Sequence, residues 1–324
     1  MNAKYFEVKR KHHHVWADYL KRWSPDGLNI FYSTPTRKIK SDSVRGLAME
    51  IDFYKVTYLS DYDVKVILQW SGNSAEDLQK AHQSYLDDFL RFQRANDIYK
   101  QSGKSDQTVE KSIKALESKL MEDLHSAHER EVSPILKELA EGRISCLYEN
   151  DSIIKFTTFL GHQFTRTKNF KDRVLQVPHG APIESIKFFR SMSNSWWFMS
   201  YMFGMNLGRE LYLFRSNYTH SLLFNSTQIP FITSDQPVIN VHPQVWEGSS
   251  QPAFLDLYYP ISPQYAYVIS ESKNFPGGVS QITQNKVIEL NQKMAARSRS
   301  IIFGSNYESV KAWIPFVGRD RTSG

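Results

Sequence analysis

The chain has 324 residues, of which 41% are hydrophobic, 14% aromatic and 23% charged, with a formal net charge of +6. That length admits one large domain or two smaller ones, and the composition excludes a globally disordered chain. The mild basic excess permits nucleic-acid or phosphate partners without demanding them. A single cysteine, Cys146, excludes an internal disulfide framework and a cysteine-closed zinc site, and its apolar surroundings read as core filling. The N-terminus shows no signal-peptide pattern. The longest apolar run, over residues 196–207, falls short of the roughly 20 residues of a membrane span. The expectation is a soluble, cytoplasmic protein with no membrane partner.

The first marked segment is basic and histidine-rich: Lys9-Arg10-Lys11-His12-His13-His14, followed by Val15, Trp16, Tyr19, Leu20 and Trp23. Histidine serves as acid, base or metal ligand near neutral pH. Neighbouring cations favour neutral imidazole and attract anions. Read as a helix, the segment puts His12 and Trp16 on one face, as it does His13 with Trp16 and Leu20, and turns His14 away.

Residues 28–32 read as a short strand after the Ser24-Pro25-Asp26-Gly27 turn. Residues 74–101 read as a helix with Leu78, Ala81, Tyr85, Phe89 and Phe92 on one stripe and Ser74 as its start. A second long helix spans about 107–141, with Pro134 as a candidate kink and Gly142 as its stop. Helices follow over 151–166 and 182–209. Strands are expected at 210–215, 220–226, 229–241, 253–261 and 265–270, then a helix over 284–298 and a strand at 300–304. No phosphate-binding glycine loop, G-x-S-x-G elbow or H-E-x-x-H motif occurs.

Three further clusters bear on chemistry. In Phe159-Leu160-Gly161-His162-Gln163-Phe164-Thr165-Arg166-Thr167, Gln163 and Arg166 share a helical face. Arg166 offers a planar fork of donors for phosphate or carboxylate, or caps the helix end. In Thr233-Ser234-Asp235-Gln236-Pro237-Val238, Asp235 is either an Asx-turn residue or a carboxylate presented at a strand end. Glu129 and Glu131 sit in a charged run that reads first as a solvated helix face.

Taken together, the chain resembles an uncharacterised bacterial family, a domain of unknown function marked by HHxVPxxYLxxF, FxxxQxxRT, TSDxPV, PLSP and a helical LN. These correspond to His12–Trp23, Phe159–Thr167, Thr233–Val238, Pro260-Ile261-Ser262-Pro263 and Leu290-Asn291. Trp16 stands where the family has proline, which would straighten a turn into a helix, and Trp23 stands where it has phenylalanine. The resemblance picks out His12, His13, Gln163, Arg166, Ser234, Asp235 and Asn291, and it implies no particular reaction.

The fold expected is α+β: a helical part over about 1–209 packed on a mostly antiparallel β-rich part over about 210–324, sharing one core as a single domain. The functional expectation is a nuclease or phosphodiesterase, an effector of bacterial defence against phage. His12 or His13 would be acid or base, Arg166 would hold phosphate, Gln163 would place water or base, and Asp235 would orient a histidine. Ser234 and Asn291 would contact substrate. His12, His13 and Asp235 are the candidate ligands for a divalent metal such as Mg²⁺ or Mn²⁺. Trp16, Tyr19 and Trp23 are candidate base-stacking residues. The expected partners are nucleic acid and a protein that triggers or restrains the chain. The alternative is a non-catalytic sensor or interaction module whose His/Arg/Asp cluster is a structural polar network.

Overall fold

The computed structural model describes residues 8–242 and 252–322. The chain enters as β1 (Lys11–His13) and a single turn α1 (Ala17–Leu20). The hairpin β2 (Asn29–Ser33) and β3 (Ile39–Ser43) follows, then β4 (Met49–Ile51), which pairs antiparallel with β1. Seven helices come next: α2 (Asp61–Ser71), α3 (Glu76–Gln101), α4 (Gln107–Ala140), α5 (Asn150–Thr165), α6 (Lys168–Val174), α7 (Ile183–Asn194) and α8 (Trp196–Leu213). The rest is β5 (Thr219–Phe224), β6 (Thr233–Ser234), β7 (Ile239–Asn240), β8 (Asp256–Pro260), β9 (Tyr265–Ser270), β10 (Gly278–Gln281), α9 (Gln284–Arg297), β11 (Ile302–Gly304), α10 (Tyr307–Lys311) and α11 (Arg319–Thr322).

The fold is α+β, with helices concentrated in the first two thirds and a mostly antiparallel sheet system after them. One sheet has the order β10-β5-β9-β8-β7, and among the described residues only the β10–β5 pair is parallel. A second sheet, β3-β2-β11-β6, draws strands from both ends of the chain. The change of character near residue 210 therefore does not divide the strands: β2 pairs antiparallel with β11 across most of the sequence.

Several elements depart from the sequence reading. The histidine segment is not helical: β1 covers His12 and His13, and Trp16 keeps an extended backbone before α1 begins at Ala17. Pro134 neither breaks nor ends α4. Its ring faces solvent, while Val132, Ile135, Leu136 and Leu139 bury the opposite face and hold the helix through the missing hydrogen bond. Ala75, not Ser74, stands at the start of α3, without a side-chain cap. The run 182–209 is two helices joined at Ser195, whose hydroxyl donates back to the Ser191 carbonyl at 2.9 Å, a bond that bends helices. Residues 210–213 continue α8 instead of forming a strand. The expected strand 229–241 is reduced to β6 and β7 on either side of the Pro237 turn. Gly142 follows α4 at φ +85°, the left-handed conformation a helix stop uses.

The core runs between α5, the end of α4 and the sheets. Phe156 meets Tyr267 edge-on at 4.8 Å, and Tyr19 stacks on Tyr259 at 5.1 Å. Cys146 packs against this cluster, and burial lifts its thiol to about 11, so it fills space as an unreactive thiol. α5 and α8 touch through backbone: a methyl group on Gly161 would lie 2.6 Å from the Gly208 amide nitrogen. That contact presses α5, with Gln163 and Arg166, against the helical core.

Candidate functional site: a buried polar junction

β1 alternates its side chains. His12 is fully buried, His13 faces outward with its side chain 24% exposed, and His14 turns in again just past the strand. The Nδ1 of His12 accepts from the Tyr54 amide at 2.8 Å, so its Nε2 carries the proton and donates to the Ser118 and Lys9 carbonyls at 2.7 and 2.8 Å. Both nitrogens are consumed, which leaves His12 free neither to move a proton nor to bind a metal.

His13 is different. Its Nε2 donates to the Arg45 carbonyl at 3.1 Å, and its Nδ1 lies 3.7 Å from the Glu122 carboxylate on α4. Both nitrogens face acceptors, an arrangement that suits the protonated ring. Glu122 raises the imidazole above its ordinary value, with the Arg45 carbonyl adding to it, against burial. Burial pushes Glu122 up, but His13 and Lys9, whose Nζ is 3.2 Å away, outweigh it and hold the carboxyl below its usual value.

Behind this pair lies a fully enclosed charge. The Nη1 of Arg166 is 2.7 Å from Glu129, and its Nη2 donates to Gln163 Oε1 at 2.6 Å. Gln163 Nε2 in turn donates to the His14 carbonyl at 3.1 Å, and the Tyr54 hydroxyl donates to the Arg166 carbonyl. Arg166 is 2% exposed. Both terminal nitrogens are engaged inside the protein and the whole group is shut off from solvent, so the expected phosphate-holding role is not the one this geometry gives it. Burial, then Arg166 and Lys168, drive His14 down to about 3, so its ring is neutral. An aromatic column continues inward: Tyr54 on His125 at 5.0 Å, His125 on His162 at 5.7 Å, and His162 on Tyr201 at 4.4 Å. Burial also drives His125 and His162 well below the ordinary imidazole value.

Asp235 anchors a different place. Its Oδ1 accepts from the Arg299 amide at 2.7 Å, and its Oδ2 accepts from those of Ser300 and Ile301 at 2.8 and 3.0 Å. This carboxylate staples the turn between α9 and β11. Burial raises it, against those three amides. The Ser234 hydroxyl bonds the Gln236 backbone, and the Asn291 side chain bonds the Ile232 amide and the Pro230 carbonyl. Tyr19 and Trp23 are buried and donate to the Pro260 and Phe231 carbonyls, so neither is a base-stacking surface; Trp16 is half-buried against the core. Among the described residues no group of three or more His, Cys, Asp or Glu is arranged to hold a metal ion. His12, His13 and Asp235 in particular do not form such a site.

The five marked segments are nonetheless joined. His14 meets Gln163, Thr167 meets Gln236, Tyr19 meets both Thr233 and Pro260, and Asn291 meets Ile232. Hydrogen bonds link the first four signatures directly, and Asn291 of the fifth bonds Ile232, the residue just before Thr233. A family described as "Protein of unknown function (DUF4238)" matches residues 11–308.

The chain belongs to that family.

Neither a curated protein nor a solved structure matches it. Within this DUF4238 chain, sequence reasoning missed Glu122, Tyr54, His125 and His162, and it set Glu129 beside Glu131 as a solvated pair. Glu129 is buried and Glu131 exposed. The signal was the spacing: Glu122, His125 and Glu129 recur at three and four residues on α4, on the same face as its apolar stripe, where polar residues need a partner. Among the described residues, no helix is long and apolar enough to cross a membrane.

Proposed function

We propose that this DUF4238 chain is a phosphodiester hydrolase, a nuclease in which His13 rather than His12 moves the proton. The supporting observation is the His13–Glu122 pair, a mostly buried imidazole with one edge open to solvent, backed by a buried carboxylate. In such a pair the carboxylate stabilises the charged ring through Nδ1, and the Nε2 proton passes to a departing oxygen that displaces the Arg45 carbonyl from its exposed bond, a step closed to the buried His12. Lys9 and Arg10 are paired with Glu122 and Asp52, and the exposed Lys11, two residues before His13, adds positive charge for a phosphodiester backbone. Arg166 and Gln163 act from behind, Arg166 holding α4 through Glu129 and Gln163 holding the chain just after His13 through the His14 carbonyl.

A second reading rests on the spent donors. Arg166, Gln163, His12, Ser234, Asp235 and Asn291 are all engaged internally, which favours a non-catalytic interaction module with a structural polar junction. The deciding experiment incubates the purified protein with labelled RNA, single-stranded DNA and duplex DNA, with and without Mg²⁺ or Mn²⁺. His13→Ala and Glu122→Gln proteins of verified fold run alongside. Cleavage by the parent that falls at least 100-fold in His13→Ala supports the hydrolase. Folded protein with no cleavage of any substrate supports the interaction module.

A further inference from the structure

An open cleft of about 470 Å³ lies where the end of α4, the turn between β8 and β9 and the segment just after α1 meet, and neither His13 nor Glu122 lines it. Two cations face it from different elements. Arg22 is half-buried and, among the described residues, makes no hydrogen bond or ion pair; its Nη1 is closed off, while Nε and Nη2 keep contact with solvent. Its neighbours are fixed, the Trp23 indole on the Phe231 carbonyl at 2.7 Å and Lys21 on Asp18. Lys137, exposed on the last turn of α4, is likewise without an ion pair among the described residues. A third donor comes from Ser262, in the Pro260–Pro263 signature. Its Oγ accepts from the Gln264 and Tyr265 amides at 3.3 and 3.1 Å, which leaves the hydroxyl proton to be given outward. The carboxylate in the lining, Glu141, is paired with Arg143 and does not neutralise the cations. A lysine at a helix C-terminus is favourable on its own account. Arg22, on another element and with an open fork, has no such explanation, and a cleft of one sign concentrates the opposite charge.

We infer that this cleft binds a sugar phosphate, with the phosphate held by Arg22, Lys137 and Ser262. Donors from three elements suit a tetrahedral group with three peripheral oxygens, whereas a planar carboxylate is satisfied by the arginine fork alone. The volume of about 470 Å³ falls in the range of small-molecule sites, about 300–1,000 Å³, and leaves room beyond the phosphate for the body of the ligand. That remaining space is polar: Gln264 offers an amide and Glu141 a carboxylate to hydroxyl groups. No aromatic side chain is in the lining among the described residues, so a sugar suits the cleft better than a stacked nucleobase. The inference does not rest on the proposed phosphodiester chemistry.

The test is isothermal titration of the full chain with ribose 5-phosphate. Ribose and gluconate, which lack the phosphate, and inorganic phosphate, which lacks the sugar, are the controls. Arg22→Gln and Lys137→Gln proteins run beside the parent. The expected result is saturable binding of ribose 5-phosphate, about tenfold or more tighter than inorganic phosphate, with none of ribose or gluconate. Binding should weaken about tenfold in Arg22→Gln and severalfold in Lys137→Gln. Should Arg22→Gln not fold, the exposed Lys137→Gln and the ligand series carry the test. Binding unchanged in both variants overturns the inference, because the ligand then sits elsewhere. Inorganic phosphate bound as tightly as ribose 5-phosphate overturns the sugar and leaves an adventitious anion site only. Gluconate bound equally well overturns the phosphate, and no saturable binding of ribose 5-phosphate overturns the site.

Discussion

Arg166, the cap residue that ends α5, and Glu129 on α4 lie 2.7 Å apart with both side chains buried, so one ion pair ties the end of α5 to α4. Breaking such a pair from one side leaves an uncompensated buried charge, which costs about 3–5 kcal/mol, whereas replacing both partners with apolar residues is far milder. Arg166→Met alone is expected to lose about that much in urea denaturation. The double variant Arg166→Met/Glu129→Leu should recover most of it. A single variant within 1 kcal/mol of the parent, on the same scale, would show that the pair does not hold α5 to α4.

His13 is raised above its ordinary value by Glu122. A raised folded value contributes stability that is fully present below about pH 6.5 and is lost as pH climbs through the folded value. The difference in stability between the parent and His13→Ala should therefore be largest in mild acid and shrink toward alkaline pH. In Glu122→Gln, the His13 ring titration followed by proton NMR should move down toward pH 6.5. A titration that stays put would separate His13 from Glu122 and remove the basis of the proposed acid.

His14 has the opposite sign. Its folded value is pushed down to about 3, so below about pH 6.5 the unfolded chain takes a proton that the folded chain refuses. Each pH unit into that range costs about 1.4 kcal/mol from this residue. In His14→Leu the fall of stability between about pH 6 and 4 should be shallower than in the parent by that slope. Paired urea titrations at the two pH values read it directly.

Asp235 holds three backbone amides, at Arg299, Ser300 and Ile301. Asp235→Ala leaves them without their acceptor, at a cost of about 1–3 kcal/mol per buried group left unpaired. Hydrogen exchange at those three amides should accelerate more than at β8 or β9. Any nucleolytic activity, corrected for the folded fraction, should stay near the parent level. Loss of activity with unchanged exchange would move Asp235 back into the chemistry.

Gly208 on α8 sits against the backbone of Thr158 on α5: a methyl group there would lie 2.9 Å from its Cα. Gly208→Ala must push the helices apart, at about 1–3 kcal/mol, and should lower the melting temperature. An unchanged melting temperature would mean that the two helices yield without cost.

The sequence by itself determined most of the regular structure. Amphipathic spacing placed α4, α5 and α9, and alternation with turn residues placed β2, β5, β8 and β9, because these periods follow from local backbone geometry. The five marked segments were legible as a set. What they do was not. The three adjacent histidines divide into a structural His12, an outward His13 and a buried His14 only once β1 pairs with β4 and sets which face is inside. Residues 233–240 carry strand-like side chains, yet their pairing is settled by β11 and β8, far off in sequence. Glu122 and Glu129 look like any charges on a long helix until His13 and Arg166 arrive from β1 and α5. Charge pairing, register and burial are long-range quantities, decided where distant segments meet, and only the tertiary structure contains those meetings.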